Sequence, residues 1–220
     1  MALLAPSLKG LQRLIDICNE YCAAWDIRLN SIKTKNMFFG KGSVPTYNLK
    51  LGSEEIPWVT HWKYLGVVLA SGPSFGCCVK ETLTKFYKSL NAILRIEGAS
   101  DEMVMLTLLE AHCIPILSFG IEVLHVSDRD IRRKLRVAYN AVYRRIFSYT
   151  RRESVSELQR SLNRCTWEDF CKKRVQSFMD GCSLFPRDTL MHFIYSLNLW
   201  TLYCTRRNLI YILSYLLNYT

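Results

Sequence analysis

The chain carries no Walker A loop, no glycine-rich dinucleotide fingerprint and no HExxH pair. It therefore lacks the local signatures of P-loop, Rossmann and zincin chemistry. Glycine and proline are scarce, at 10 and 6 of 220 residues, which excludes collagen-like and low-complexity classes. No segment repeats at a fixed period, so solenoids and propellers are excluded too. No CxxC occurs among the nine cysteines, and His61, His112, His125 and His192 complete no zinc-ligand spacing. The first residues, Met1-Ala-Leu-Leu-Ala-Pro, lack the basic start and apolar length of a secretory leader. Reduced, buried thiols and a cytoplasmic or nuclear location follow as expectations. Long apolar runs are missing as well. The uncharged stretch 189–205 has 17 residues before Arg206 and Arg207 interrupt it, short of the ~20 a spanning helix needs. No membrane partner is expected, and 186–220 reads as an apolar tail that forms a buried helical hairpin.

What the chain does have is basic charge in one place. Lys and Arg number 29 against 19 Asp and Glu, a formal net charge of +10. Residues 128–174 hold 14 basic and 6 acidic side chains, a local excess of +8. Half the residues are hydrophobic, enough to build a core and to exclude a disordered chain. A concentrated excess of this size points to a polyanion. At 100° per residue, Ile131, Leu135, Ala138, Val142 and Ile146 fall within about 80° of one another and form a core stripe. Arg129, Arg132, Arg133, Arg136 and Arg144 fall on the other side. Arg145 stands beside the apolar edge, Ser127 is a candidate N-cap, and Lys172 to Arg174 lie on a later helix. The guanidinium fork suits phosphate geometry, and Tyr139, Tyr143 or Tyr149 could stack on bases. A solvated helix face would account for the same composition.

The apolar periodicity changes along the chain. Residues 7–25 repeat at three- and four-residue steps behind Ser7, a candidate N-cap, and predict an amphipathic helix. Residues 26–70 alternate and are punctuated by Gly40, Gly42 and Gly52, which predicts a small antiparallel sheet. After residue 75 the period is helical, with candidate helices 76–97, 101–113, 128–149, 153–162, 167–180 and 187–217, the last continuous or broken. The fold class is α+β: an N-terminal helix with a small antiparallel sheet, then a mostly α-helical bundle. The segments divide as 1–73, 74–185 and 186–220.

Catalytic groups are sparse. Glu54-Glu55 falls in a predicted turn, while Asp101-Glu102 and Glu168-Asp169 fit helix first turns, where acidic side chains meet the helix dipole. Cys77 and Cys78 have no nearby base. Trp58, Trp62 and Tyr64 alternate, so one strand face carries three aromatics, as core packing or as a nucleic-acid platform.

Three stretches, in order, resemble a family: Ala2-Leu-Leu-Ala-Pro-Ser-Leu-Lys-Gly-Leu-Gln12, Leu29-Asn-Ser-Ile-Lys-Thr-Lys35 and Trp62-Lys-Tyr-Leu-Gly-Val-Val-Leu69. Together they are similar to the late palm of a reverse transcriptase (an RNA-directed DNA polymerase) from a non-LTR, LINE-type retrotransposon, a transposable element. The resemblance covers residues 1–70 most clearly and extends to about 150. It implies that Lys33 or Lys35 stands near the leaving pyrophosphate, and that Tyr64, Leu65 and Gly66 form a primer-grip hairpin. The bundle then corresponds to a thumb holding template and primer, an RNA or RNA–DNA duplex. The family's catalytic Asp pair has no counterpart here, since the matching stretch begins just after it. The chain is accordingly expected to be a fragment, to bind nucleic acid without polymerase activity of its own, and to need no cofactor alone, whereas the parent family uses Mg. Association with a complementary polymerase fragment is a second expectation. A pseudogene product without function, or a structural or interaction protein built of helices, is the alternative.

Overall fold

The computed structural model describes residues 1–73, 76–96, 101–122, 129–189 and 192, together with the backbone of 211–215. Its class is α+β, and its contacts separate two units, Met1–Cys78 with Thr205–Thr220, and Val79–Cys204.

In the first unit, strand β1 (Ala2–Ala5) runs into helix α1 (Leu8–Ala24). Ser7 caps the helix as its sequence position predicts, its Oγ accepting from the Gly10 N–H at 3.1 Å. Leu11 and Ile15, one turn apart, are fully buried and join Ala5, Leu49, Leu51 and Ile56 in a small core. The helix stops at Asp26, whose φ of 54° places it in the left-handed region that Asp tolerates at a helix end. Strands β2 (Asn36–Phe39), β3 (Leu49–Leu51), β4 (Glu54–Ile56), β5 (His61–Tyr64), β6 (Val67–Ala70) and β7 (Gly76–Cys77) follow. β3 and β4 form one hairpin, and β5, β6 and β7 an antiparallel sheet. Gln12 ties α1 to β3 with both ends of its amide, accepting from the Lys50 N–H at 2.9 Å and donating to the Lys50 carbonyl at 2.8 Å.

The expected helix over 187–217 is overturned at its far end. Residues Tyr211–Tyr215 form strand β8, which lies between β1 and β2 and runs antiparallel to both. Leu213 faces Leu4 on one side and Met37 on the other. The cause is tertiary: without β8, β1 and β2 would each leave a row of backbone groups unpaired. The run Tyr-Ile-Leu-Ser-Tyr, aromatic and β-branched, suits that slot. Residues 193–210 lie outside the described residues.

The second unit is helical: α2 (Lys80–Ile93), α3 (Glu102–His112), α4 (Ile114–Ser118), α5 (Arg129–Ile146), α6 (Val155–Ser161) and α7 (Trp167–Ser183). The helix expected at 76–97 begins only at Lys80, because Gly76 and Cys77 pair with Ala70 and Leu69 of β6. Asp101 caps α3, its Oδ1 accepting from the N–H groups of Met103 and Val104 at 2.7 and 3.0 Å. Thr166 caps α7 through the Asp169 N–H at 3.3 Å, and its hydroxyl donates to Asp169 Oδ2 at 2.7 Å. These contacts explain Asp101-Glu102 and Glu168-Asp169 as helix starts. Glu54-Glu55, expected in a turn, instead opens β4, where Asn48 Nδ2 donates to Glu55 Oε2 at 3.0 Å. The bundle closes on Phe86, Leu90, Leu106, Leu109, Leu117, Leu135 and Val142, all fully buried. The Glu110–Arg164 ion pair, at 2.8 Å, joins α3 to the α6–α7 connection.

Candidate nucleic-acid interface

Helix α5 sorts its residues by face. Ile131, Leu135, Ala138 and Val142 are buried, as the periodicity predicts, while Arg129, Arg132, Arg133 and Arg136 are exposed. The four arginines line one shallow groove of about 440 Å³ together with Trp167 and Glu168, the first two residues of α7. Two of them have acidic neighbours. Arg133 Nη2 lies 2.9 Å from Asp130 Oδ1, and Arg136 Nη1 lies 3.3 Å from Glu168 Oε1. Lys134 Nζ reaches Asp130 Oδ2 at 2.6 Å. Hydrogen bonds from Lys134 and then Arg133 hold the Asp130 carboxyl below its usual range. Both arginine pairs are solvent-exposed, so they can exchange partners at little cost. Arg129 and Arg132 have no carboxylate partner among the described residues.

Arg144 takes a different role from the one its wheel position implies. Its Nε donates to the Thr150 carbonyl and its Nη2 to the Glu153 carbonyl, both at 3.3 Å. It ties down the turn after α5, where Ser148 has a φ of 54°. Arg145 reaches across to α2, donating to Asn91 Oδ1 and standing 5.8 Å from the Tyr87 ring centroid. The tyrosines of α5 are also placed differently. Tyr139 and Tyr143 are only 4% and 1% exposed, so they cannot stack on bases. Tyr139 instead packs against Tyr143, Trp167 and Phe170 and donates to the Cys165 carbonyl at 3.0 Å. Burial pushes its phenol up in pKa. Tyr149 is half-buried. Of the later basic run, Arg174 pairs with Glu122 at 3.5 Å and Lys173 donates to Cys165 Sγ at 3.1 Å.

In the first unit the hairpin over 61–70 has the expected tight turn. Tyr64 pairs with Val67, leaving Leu65 and Gly66 as the two loop residues with φ of 46° and 86°. Positive φ at both central positions is the type I′ pattern, whose twist matches that of the flanking strands. Leu65 is 75% exposed at the tip. Trp62 and Tyr64 share a strand face, whereas Trp58 lies before β5. There its indole Nε1 donates to the Tyr47 carbonyl at 2.9 Å and its ring packs on the α1 core.

The lysines enter from a neighbouring turn. Asn30 organises it: its Oδ1 accepts from the Lys33 N–H at 2.9 Å, and its carbonyl accepts from Thr34 Oγ1 at 2.7 Å. Asn30 and Thr34 are thus structural, and Lys33 and Lys35 are what the turn presents. Lys35 Nζ stands 5.7 Å from the Trp62 ring centroid, a cation–π distance that brings the lysine to the hairpin. Lys33 is exposed.

Among the described residues no three His, Cys, Asp or Glu side chains form a metal-binding group. Asp16 is exposed on α1 and accepts from Gln12 Nε2 at 2.7 Å. Gly72-Pro-Ser-Phe-Gly76 has the letters of a nucleophile elbow; Ser74 and Phe75 lie outside the described residues, and Gly76 opens β7. Burial, with Cys78 adjacent, pushes the Cys77 thiol up to about 11, the opposite of an activated nucleophile. No described helix is long and apolar enough to cross a membrane.

No protein-family model, curated protein or solved structure matches the chain.

Proposed function

We propose that the chain is a nucleic-acid-binding portion of a reverse-transcriptase-like polymerase, holding an RNA or RNA–DNA duplex without performing nucleotidyl transfer by itself. One observation carries the reading: Arg129, Arg132, Arg133 and Arg136 line a single exposed groove on a rigid helix whose other face is core. Arginines fixed at helical spacing can follow a phosphate backbone, and such contacts are largely independent of sequence. The hairpin with Leu65 and Gly66 at its tip, and Lys35 held against Trp62, supply a second nucleic-acid element of the type the resemblance names. Lys33 belongs to the same turn.

The test is fluorescence anisotropy with a labelled RNA–DNA hybrid at low salt. Arg132→Ala, Arg133→Ala and Arg136→Ala combined are expected to weaken binding at least about tenfold, one to three charge-assisted contacts being lost. Unchanged affinity in the folded triple variant would overturn the reading.

A second reading, association with a separate polymerase fragment, is favoured by the outer face of α1. Ile17, Tyr21 and Trp25 recur every four residues there and are exposed. Primer extension by a mixture of this chain with a fragment carrying the Asp pair, against each alone, decides it.

A further inference from the structure

The arginine groove has features that a uniform phosphodiester backbone does not require. We infer that it includes a discrete site for a phosphomonoester, a terminal phosphate bound in addition to internal diesters; this rests on the proposed nucleic-acid reading for the partner but not for the site. Three observations converge on it.

The first is charge. Four guanidiniums line the groove against one carboxylate, Glu168, and Arg133 shares Asp130 with Lys134. Arg129 and Arg132 are left with no carboxylate partner among the described residues. Two guanidiniums with no carboxylate partner among the described residues match a phosphomonoester, which carries about −1.5 to −2 near neutral pH, better than a diester with one.

The second is a buried donor without an acceptor. Trp167 lines the groove and is 3% exposed, yet its indole Nε1 has no hydrogen-bond partner among the described residues. A buried N–H left unmade is costly. An acceptor oxygen in the groove would satisfy it once a small shift of the indole opened the N–H to the groove. The ring is held by Tyr139 at 5.2 Å and Phe170 at 5.9 Å between centroids.

The third is the backbone. Trp167 and Glu168 are the first residues of the 17-residue helix α7, so the groove meets a helix end of positive polarity. Glu168 and Asp130 hold Arg136 and Arg133 in the groove when it is empty. Both pairs are exposed and readily exchanged for a phosphate, whose fork geometry is the stronger partner.

The experiment compares hairpin duplexes of one sequence ending in a 5′-phosphate or a 5′-hydroxyl, bound to the full chain at fixed salt. A 5′-hydroxyl duplex one nucleotide longer serves as the control for total charge. The 5′-phosphate form is expected to bind at least about tenfold tighter than either 5′-hydroxyl form, as two or more charged hydrogen bonds are gained. Arg129→Gln and Arg132→Gln, both exposed positions, should weaken the 5′-phosphate duplex by a larger factor than the 5′-hydroxyl duplexes, so that the ratio between them falls towards one. Trp167→Phe, which keeps the ring and removes the N–H, should reduce it. Equal binding of all three duplexes overturns the inference and leaves the nucleic-acid reading standing. If no duplex binds but inorganic phosphate or a nucleoside monophosphate raises the thermal midpoint of the wild type and not of Arg132→Gln, the nucleic-acid reading falls and the phosphate site remains. Absence of any response to all of these probes overturns both.

Discussion

Leu65 is where local conformational preference and the observed backbone diverge most. A leucine at φ 46° is held in the left-handed region, which disfavours any residue with a Cβ by roughly 1–2 kcal/mol. Its side chain buries almost nothing in return. Gly66 next to it was readable as a turn residue from the sequence, because glycine takes positive φ freely. Leu65 was not, since leucine carries no turn signal; only the pairing of Tyr64 with Val67 imposes the conformation. Such strain at an exposed tip is retained where the side chain has a use. Leu65→Asn, giving the Asn-Gly sequence that type I′ turns prefer, should therefore stabilise the protein by about 1 kcal/mol in urea unfolding. The same variant should bind the RNA–DNA hybrid more weakly, because the apolar tip is gone. No gain in stability would mean that the turn is not strained, and no loss of affinity would remove Leu65 from the interface.

At the scale of elements, legibility followed whether local pattern or a distant partner decides the structure. Helix α5 was legible almost to its ends, because its periodic stripe and its charged face agree. The wheel still drew the buried arc too narrow. Tyr139 and Tyr143 flank the stripe, and the packing of Tyr139 on Trp167 and Phe170 depends on where α7 lies, which α5's own sequence does not state. The partners of Arg144 were not readable for a similar reason: they are backbone carbonyls of the turn beyond the helix. Strand β8 was not legible at all. Its five residues continue an apolar tail, and a short apolar run does not by itself separate helix from strand. What decides it is the open slot between β1 and β2. Leu213→Pro tests that dependence, since proline removes a ladder donor and is excluded from central strands. The amide of Met37, the hydrogen-bonded partner of Leu213, and those of Leu3 and Ala5, opposite Ser214 and Ile212, should lose protection in hydrogen exchange while those of α5 keep it. Retained protection at all three positions would show that β1 and β2 do not need β8.

For the whole molecule, the net charge of +10 is less informative than its placement. The first unit holds the lysine turn and the hairpin, and the second holds the arginine groove, so each offers a separate site that can be tested alone by substitution. Binding by counterion release makes a quantitative statement about which charges touch phosphate. Each phosphate neutralised contributes about 0.9 to the slope of log affinity against log salt for a B-form duplex, and about 0.7 for a single strand. Arg129 and Arg132, with no carboxylate partner among the described residues, should each contribute fully. Arg133 and Arg136 must first give up Asp130 and Glu168, so substituting either frees a carboxylate beside the ligand. Arg132→Gln should accordingly lower the slope by about 0.9 on a duplex. Glu168→Gln should raise affinity at every salt concentration by releasing Arg136, with the slope unchanged or steeper. Arg144→Gln should leave the slope alone and lower stability instead, because its guanidinium is bound to backbone carbonyls. Titrations from 50 to 200 mM salt, roughly the range over which such contacts separate, distinguish these three substitutions. A common slope for Arg132→Gln and the wild type would mean that the groove does not meet the phosphate backbone.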